Sequence, residues 1–114
     1  IDYGYIKSPG KSTLQAIKKH QKIDIFKDPN PYQCDLTALV DFSALKNKVE
    51  ENGNQSSLVT QKEFLESLGI EIERKKLLRE AKEQDFEQIN TAFNRLTAAN
   101  QMGELFKCLI FWRD

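Results

Sequence analysis

Acidic, aromatic and glycine residues at the start of the sequence are the first candidates for chemistry. Asp2, Tyr3 and Gly4 stand at the expected carboxyl end of a first strand, which is where open α/β sheets bind their ligands. Gly4 has no side chain and so allows another backbone to approach closely. A structural alternative is a turn in which Asp2 hydrogen-bonds its own backbone. The residues alone leave both interpretations open.

The single histidine, His20, is a second candidate. As a general base it would need a carboxylate to orient its ring, and Asp24, about one helical turn further on, could supply one. The alternative is a histidine at the end of a helix, close to the negative pole of the helix dipole. One histidine, together with two cysteines that lack C-x-x-C spacing, predicts no metal site and no disulfide framework.

Two carboxylates flank a short, mostly apolar segment in the first half of the chain. Asp35 and Asp41 stand on either side of residues 36–40, with Thr37 between them. If this segment is extended, both carboxylates could face one cleft. The alternative is that each is the N-cap of a helix, a position that favours Asp.

Composition and charge exclude several function classes. Basic and acidic residues are balanced at 17 each, which disfavours a generic nucleic-acid binder. Gly10 and Lys11 resemble the end of a phosphate-binding P-loop, but Tyr5 stands where that loop needs its first glycine. The longest apolar stretch, residues 105–112, is far shorter than the roughly 18 residues that cross a bilayer. The sequence therefore predicts neither a nucleotide site nor membrane insertion.

Hydrophobic spacing and turn residues predict an α/β chain in which several helices cover few strands. Ser12 or Thr13 can cap a first helix that has Leu14 and Ile17 on one face. Prolines favour an extended loop at residues 28–31. The remaining predicted elements are a short strand at 36–40, a helix capped by Asp41 and ended by Gly53, a weak strand at 57–59, a helix capped by the Thr60–Glu63 box, a helix at 72–82, a helix capped by Asp85 and Gln88, and a strand at 105–112.

The predicted strand at residues 105–112 is apolar on both of its faces, with Cys108 as a small core residue. Such a strand belongs in the middle of a sheet that helices cover on both sides. A chain that opens within a strand and has few strands of its own is expected to be a piece of a longer protein.

Five segments, in this order, resemble the MidA-like family of SAM-dependent methyltransferases, whose mitochondrial members help to assemble respiratory complex I. They are Ile1-Asp2-Tyr3-Gly4; Thr13-Leu14-Gln15-Ala16 with His20; Asp35-Leu36-Thr37-Ala38 with Val40-Asp41-Phe42-Ser43-Ala44-Leu45; Gln61 with Phe64-Leu65, Leu68-Gly69-Ile70 and Arg74; and Met102-Gly103-Glu104-Leu105-Phe106-Lys107. Two departures lie beside the expected cleft: Leu39 replaces a histidine of many relatives, and Gln33-Cys34 replaces Pro-Gly.

The resemblance implies a class I methyltransferase fold, which is Rossmann-like and ends in an antiparallel strand. Residues 1–114 would be its carboxyl-terminal half, and the half that holds S-adenosylmethionine would be absent from this chain. The last strand would then pair antiparallel with residues 1–5. An unpaired edge on that first strand predicts self-association.

The implied activity is symmetric dimethylation of an arginine in a complex I subunit, with Asp2, Tyr3 and Gly4 near the site of transfer. His20, Asp35, Thr37 and Asp41 would line the substrate cleft, and Asp35 and Asp41 could hold the cationic guanidinium. The alternative function is a non-catalytic helical docking module for a partner protein. A high ratio of Lys to Arg favours a bacterial cytoplasm, and the mitochondrial matrix is the alternative.

Overall fold

The computed structural model describes residues 1–27 and 30–114, and of Pro31 the backbone only. These residues form seven strands and five α-helices, with two short 3-10 turns. The strands are β1 Asp2–Tyr5, β2 Gln15–Lys18, β3 Gln21–Ile23, β4 Asp35–Thr37, β5 Val40–Asp41, β6 Gln55–Thr60 and β7 Phe106–Trp112. The helices are α1 Phe42–Glu51, α2 Gln61–Ser67, α3 Ile70–Glu80, α4 Phe86–Thr97 and α5 Met102–Leu105. The predicted α/β class is confirmed.

The larger sheet has four strands in the order β5-β1-β7-β6. β1 runs parallel to β5, while β7 is antiparallel to both β1 and β6. The predicted antiparallel pairing of the last strand with the first is confirmed, since Asp2 lies opposite Lys107 and Tyr3 opposite Phe106. The two-sided apolar pattern of β7 therefore indicated its interior position correctly.

Burial along β7 is uneven. Cys108 is 1% exposed, as expected for a small core residue, and burial raises the pKa of its thiol. Phe111 at the far end of the strand is 59% exposed and Trp112 is 43% exposed. The first half of β7 is therefore covered by other parts of the chain, as expected, whereas its second half is exposed.

The capping predictions have different outcomes. Asp41 caps α1, and Gly53 follows the helix with a φ of 78°, the left-handed conformation that glycine adopts most readily. The reciprocal box of Thr60 and Glu63 at the start of α2 is confirmed. The cap predicted from Asp85 and Gln88 is wrong, because Asp85 stands before α4 without a side-chain hydrogen bond to the helix.

The helix predicted after Ser12 and Thr13 is wrong. This segment forms the hairpin β2–β3, which joins β4 in a separate three-stranded sheet. Lys19 and His20 form its turn with φ values of 50° and 64°, the positive values that tight two-residue hairpin turns require. The Thr13 hydroxyl accepts a hydrogen bond from the Leu39 amide at 3.1 Å, so it is not free to cap a helix.

The single strand expected at residues 36–40 is divided between the two sheets. β4 belongs to the three-stranded sheet, whereas β5 pairs with β1 in the larger one. Of the extended loop expected at 28–31, Asp28 and Pro29 lie outside the described residues, and Pro31 begins a 3-10 turn. Segments this short contain too few residues for a hydrophobic period to show which neighbour they pair with.

Candidate functional site

The carboxyl ends of the two parallel strands, β1 and β5, bring Tyr5 and Asp41 together. Tyr5 lies opposite Asp41 in the strand register. The Tyr5 hydroxyl donates a hydrogen bond to Asp41 Oδ2 at 3.3 Å. The other carboxylate oxygen, Oδ1, accepts the Ala44 amide at 3.0 Å. This position follows the general rule that open α/β sheets place ligands at the carboxyl ends of their strands.

Gly4 makes the close approach of these strands possible. A Cβ atom on Gly4 would lie 2.4 Å from the Val40 carbonyl oxygen and 2.7 Å from the ring of Phe42. Both distances are shorter than non-bonded contacts allow, so no other residue fits here without moving the backbone of β5. The expectation that Gly4 permits the close approach of another backbone is confirmed, and the approaching backbone is that of the chain itself.

The electrostatics of the pair assign a protonation state to Tyr5. Burial, the negative charge of Asp41 and the hydrogen bond to Asp41 together raise the pKa of the Tyr5 phenol above its ordinary value. Tyr5 is therefore a neutral hydroxyl donor at physiological pH. A carboxylate oxygen has two lone pairs, and the Tyr5 hydroxyl uses one of those on Oδ2. Asp41 can thus accept a further hydrogen bond from a donor at the sheet edge.

The prediction that Asp2 and Tyr3 lie at the carboxyl end of the first strand is wrong, because Asp2 begins β1 and Tyr5 ends it. The Tyr3 amide donates to Asp2 Oδ1 at 2.7 Å. The turn that the structural alternative predicted is wrong, because both residues lie in the strand β1. The ring of Tyr3 packs against Phe106, with 5.6 Å between the ring centroids. Tyr3 also lines a shallow groove together with Arg95 and Met102. Neither Asp2 nor Tyr3 is hydrogen-bonded to the Tyr5–Asp41 pair.

The other predicted site residues lie on the three-stranded sheet. His20 is exposed in the β2–β3 turn rather than at a helix end. Asp24 does not orient it, because its carboxylate accepts the Phe26 amide at 3.1 Å and pairs with Lys27 at 3.4 Å. Asp35 lies opposite Ile17, and Thr37 lies opposite Gln15. The structure thus places Asp35 and Asp41 in different sheets, and a shared cleft stays a prediction.

Sequence reasoning missed Tyr5 and Ser43. The Ser43 hydroxyl, in the first turn of α1, donates to the Ile6 carbonyl just after β1 and so joins the two strand ends a second time. Tyr5 could have been included because it follows Tyr3 at the period of two that places side chains on one face of a strand. The pairing of Tyr5 with Asp41 could not have been predicted, because a parallel register between distant segments leaves no local signal in the sequence.

This chain is predicted to lack a complete site for S-adenosylmethionine, and that absence stays a prediction. Its two buried glycines are closed by the protein itself: Gly4 by Val40, and Gly103 by the Thr97 carbonyl oxygen, which would lie 2.1 Å from an added Cβ. Neither glycine can therefore present an open backbone to a ligand. Within residues 1–27 and 30–114, no three His, Cys, Asp or Glu side chains cluster as metal ligands would.

Sequence comparison relates the chain to methyltransferases. Residues 1–61 match the model of a family described as S-adenosyl-L-methionine-dependent methyltransferase. The mitochondrial protein arginine methyltransferase NDUFAF7 of Xenopus tropicalis is 36% identical over 93% of the chain and 24% of its own length. Its homologue in Caenorhabditis elegans is 35% identical over 94% of the chain and 24% of its own length. The chain thus spans about a quarter of the length of these curated relatives.

Two crystal structures of Burkholderia thailandensis proteins of one superfamily share the fold. The first superposes with a TM-score of 0.75 at 28% identity, over 99% of this chain and 31% of that one. The second, which is bound to S-adenosyl-homocysteine, has a TM-score of 0.66 at 30% identity, over 90% of this chain and 26% of that one. The segment that matches the family model, residues 1–61, includes both Tyr5 and Asp41.

Proposed function

The chain belongs to this family of S-adenosyl-L-methionine-dependent methyltransferases, and we propose that it is the carboxyl-terminal part of an enzyme that methylates arginine in a protein. The relatives named above as protein arginine methyltransferases support the substrate class. The specific substrate we propose is a subunit of respiratory complex I. The non-catalytic docking module is not favoured, because these relatives are named for methyl transfer.

The observation that carries the proposal is the Tyr5–Asp41 pair at the carboxyl ends of β1 and β5. A guanidinium group is a planar cation with five N–H donors, and a carboxylate is its usual partner in proteins. Asp41 is held from both sides, by the Ala44 amide and by the Tyr5 hydroxyl. A carboxylate held in this way can orient an arginine side chain without first having to order itself.

We assign the remaining residues to the wall of the same cleft. Asp35 would supply a second carboxylate and Thr37 a hydroxyl from β4, with His20 at the tip of the adjoining hairpin. Asp2 and Tyr3 precede the pair on β1. Methyl transfer is a direct displacement that depends mainly on the alignment of the two reactants, so these residues would act by positioning the arginine.

S-adenosylmethionine would be held by an amino-terminal half that pairs with this chain. The uncovered apolar surface beside β1 supports this division: Ile1 is 65% exposed, Tyr3 40% and Leu105 41%. β5 pairs with Gly4 and Tyr5 only, so Asp2 and Tyr3 have no strand on that side among the described residues. The expectation of an unpaired β1 edge is wrong, because β1 lies between β5 and β7 in the sheet. Self-association of the chain without its partner half stays a proposal, and it would involve the part of β1 beyond β5, at Asp2 and Tyr3.

The location of the protein is also a proposal. The curated relatives are named as mitochondrial proteins, which supports the matrix. The bacterial cytoplasm, suggested by the ratio of Lys to Arg, stays a prediction. No helix in residues 1–27 and 30–114 has the length and apolar character needed to cross a membrane.

The test is a titration of the ¹⁵N-labelled chain with two short peptides that differ only in one central residue, arginine or lysine. The arginine peptide should shift the amide signals of Asp41 and Ala44, and Asp41→Asn should abolish these shifts. The matched control is Asp85→Asn, which changes the charge equally at a carboxylate without a side-chain hydrogen bond to its helix. Equal shifts from the lysine peptide, or shifts that persist in Asp41→Asn, would contradict the proposal.

A further inference from the structure

The connection between β6 and β7 is far longer than their pairing requires. The two strands are antiparallel neighbours in continuous register, from Gln55 opposite Trp112 to Thr60 opposite Lys107. Two such strands can be joined by a turn of about two residues. Here the chain instead forms four helices, α2 to α5, before it returns to the sheet. Most of this helical insertion is therefore not needed to build the sheet.

α3 is the outermost part of the insertion. Its main contacts are with the neighbouring helices α2 and α4, and none of its residues is buried. Ile72 on α3 is 73% exposed, and Leu68 just before the helix is 69% exposed. Shallow depressions lie on both sides of Ile72, one lined by Leu68 and the other by Leu78. Two large apolar side chains this exposed and this close together form a small patch, of the kind that marks interaction sites.

Three cations lie near the exposed isoleucine: Lys75 and Arg79 line one of the depressions beside it, whereas the other is lined by Glu73. Lys75, Lys76 and Arg79 follow Ile72 by three, four and seven residues, which places them on the same face of a helix. All three are exposed, and none forms an ion pair with a carboxylate in the described part of the chain. Elsewhere on the helix, Arg74 is paired with Glu71 at 2.7 Å. The cations near Ile72 are therefore left to bind an external anion.

We propose that Leu68, Ile72, Lys75, Lys76 and Arg79, the Ile72 surface, bind an acidic segment of a partner protein that inserts an apolar side chain beside Ile72. Charge complementarity selects an acidic occupant, because three cations without internal partners repel a basic one. The apolar centre and charged rim have the arrangement of a protein interface, with the aliphatic pair desolvated and the cations at the edge. The proposal does not depend on methyl transfer, because the surface would bind whether or not the chain takes part in catalysis.

The experiment measures the fluorescence anisotropy of a labelled synthetic helical peptide that has leucine on one face and glutamate on the others. A second peptide, with lysine in place of every glutamate, tests the charge requirement. The glutamate peptide should bind the intact chain, and the lysine peptide should not. The triple variant Lys75→Glu, Lys76→Glu, Arg79→Glu should weaken binding by about tenfold or more. Ile72→Ser should weaken binding without changing its dependence on salt, because it removes only the apolar contact.

The matched control is Lys7→Glu, Lys11→Glu, Lys22→Glu, which makes the same change in net charge at exposed lysines outside the insertion. This control should bind the glutamate peptide as the unaltered chain does. All substituted residues are exposed, and circular dichroism confirms that each variant is folded. Equal losses in both triple variants would overturn the proposal, as would no binding of the glutamate peptide. Tighter binding to vesicles of phosphatidylglycerol and phosphatidylcholine than to the peptide would also overturn it, in favour of a membrane surface.

Discussion

Asp41 has two structural roles, one for each carboxylate oxygen. Oδ1 accepts the Ala44 amide as the N-cap of α1, and Oδ2 accepts the Tyr5 hydroxyl. We expect Asp41→Ala to lower the free energy of unfolding by about 1 kcal/mol, the usual cost of losing an N-cap. Asp41→Asn should keep most of the stability, because asparagine caps equally well, and lose the charge that we assign to arginine binding. Urea denaturation measures the free energy of unfolding of both variants. An Asp41→Ala variant as stable as the unaltered chain would contradict the capping role.

Tyr5 gives a second prediction, which concerns high pH. Burial and the neighbouring Asp41 raise the pKa of its phenol above 10.0, its ordinary value. Because the folded chain holds this proton more tightly than the unfolded one, the contribution to stability is complete below about pH 10 and is lost as the pH rises through the folded pKa. A titration followed by the ¹³Cζ signal should show a lower pKa for Tyr5 in Asp41→Asn. An unchanged titration in that variant would mean that the Tyr5–Asp41 contact is absent in solution.

Individual site residues were predictable from sequence only where the signal was local. Asp41 could be identified because an Asp before a helical apolar pattern is a known N-cap, and Gly4 because close packing of strands favours glycine. The partnership of Tyr5 and Asp41 depends on a parallel pairing between segments far apart in the chain. The expected Asp24–His20 pair failed because it assumed a helix where the backbone of His20 has a positive φ.

At the scale of elements, the capping box of Thr60 and Glu63 at the start of α2 makes the stability of the chain depend on pH in the acid range. The backbone amide and hydroxyl of Thr60 both donate to Glu63, and these hydrogen bonds lower the pKa of Glu63 below its ordinary value of 4.5. A lowered folded pKa means that the stabilisation is present above the unfolded pKa and is lost as the pH falls through the folded one. Glu63→Gln should therefore flatten the loss of stability between about pH 5 and pH 3.

Thermal denaturation across this pH range checks the effect. Glu66→Gln, an exposed position on the same helix, is the matched control and should leave the acid profile unchanged. Thr60→Ala should cost about 1 kcal/mol at neutral pH, because it removes the other half of the box. An acid profile of Glu63→Gln that matches that of the unaltered chain would contradict the link between Glu63 and acid stability.

Elements with several consistent signals were predicted well, and elements with few were not. α1 and α2 have both a cap and an apolar period, and β7 has seven residues with a two-sided pattern. The spacing of Leu14 and Ile17, which is typical of one helical face, predicts a helix where the chain forms the hairpin β2–β3. Its turn contains Lys19 and His20, and neither residue type carries the Asn-Gly or Asp-Gly signal of a tight hairpin turn.

At the scale of the whole molecule, the sequence indicated the class but not the division into two sheets. Hydrophobic pattern cannot show that Asp35–Thr37 and Val40–Asp41, so close in the chain, join different sheets. The helical insertion was predicted as a succession of helices, but its place between two paired strands was not. Few apolar side chains are buried among the described residues, namely Ala16, Phe42 and Cys108. So small a core is consistent with a chain that is stabilised by further contacts in a longer protein.

The last prediction is that the chain on its own neither binds S-adenosylmethionine with useful affinity nor methylates a substrate. Doubly wound folds hold such a ligand on the first strand, turn and helix of their amino-terminal half. The related structure that contains S-adenosyl-homocysteine matches this chain over only 26% of its length. The two buried glycines here face protein backbone, so neither can replace that turn. Isothermal titration of S-adenosylmethionine into the folded chain should give no measurable heat of binding, and S-adenosyl-homocysteine should give the same result. A Kd near 10 μM, or about −7 kcal/mol, would show that the chain forms a cofactor site by itself. The proposal that an amino-terminal half holds S-adenosylmethionine would then be wrong.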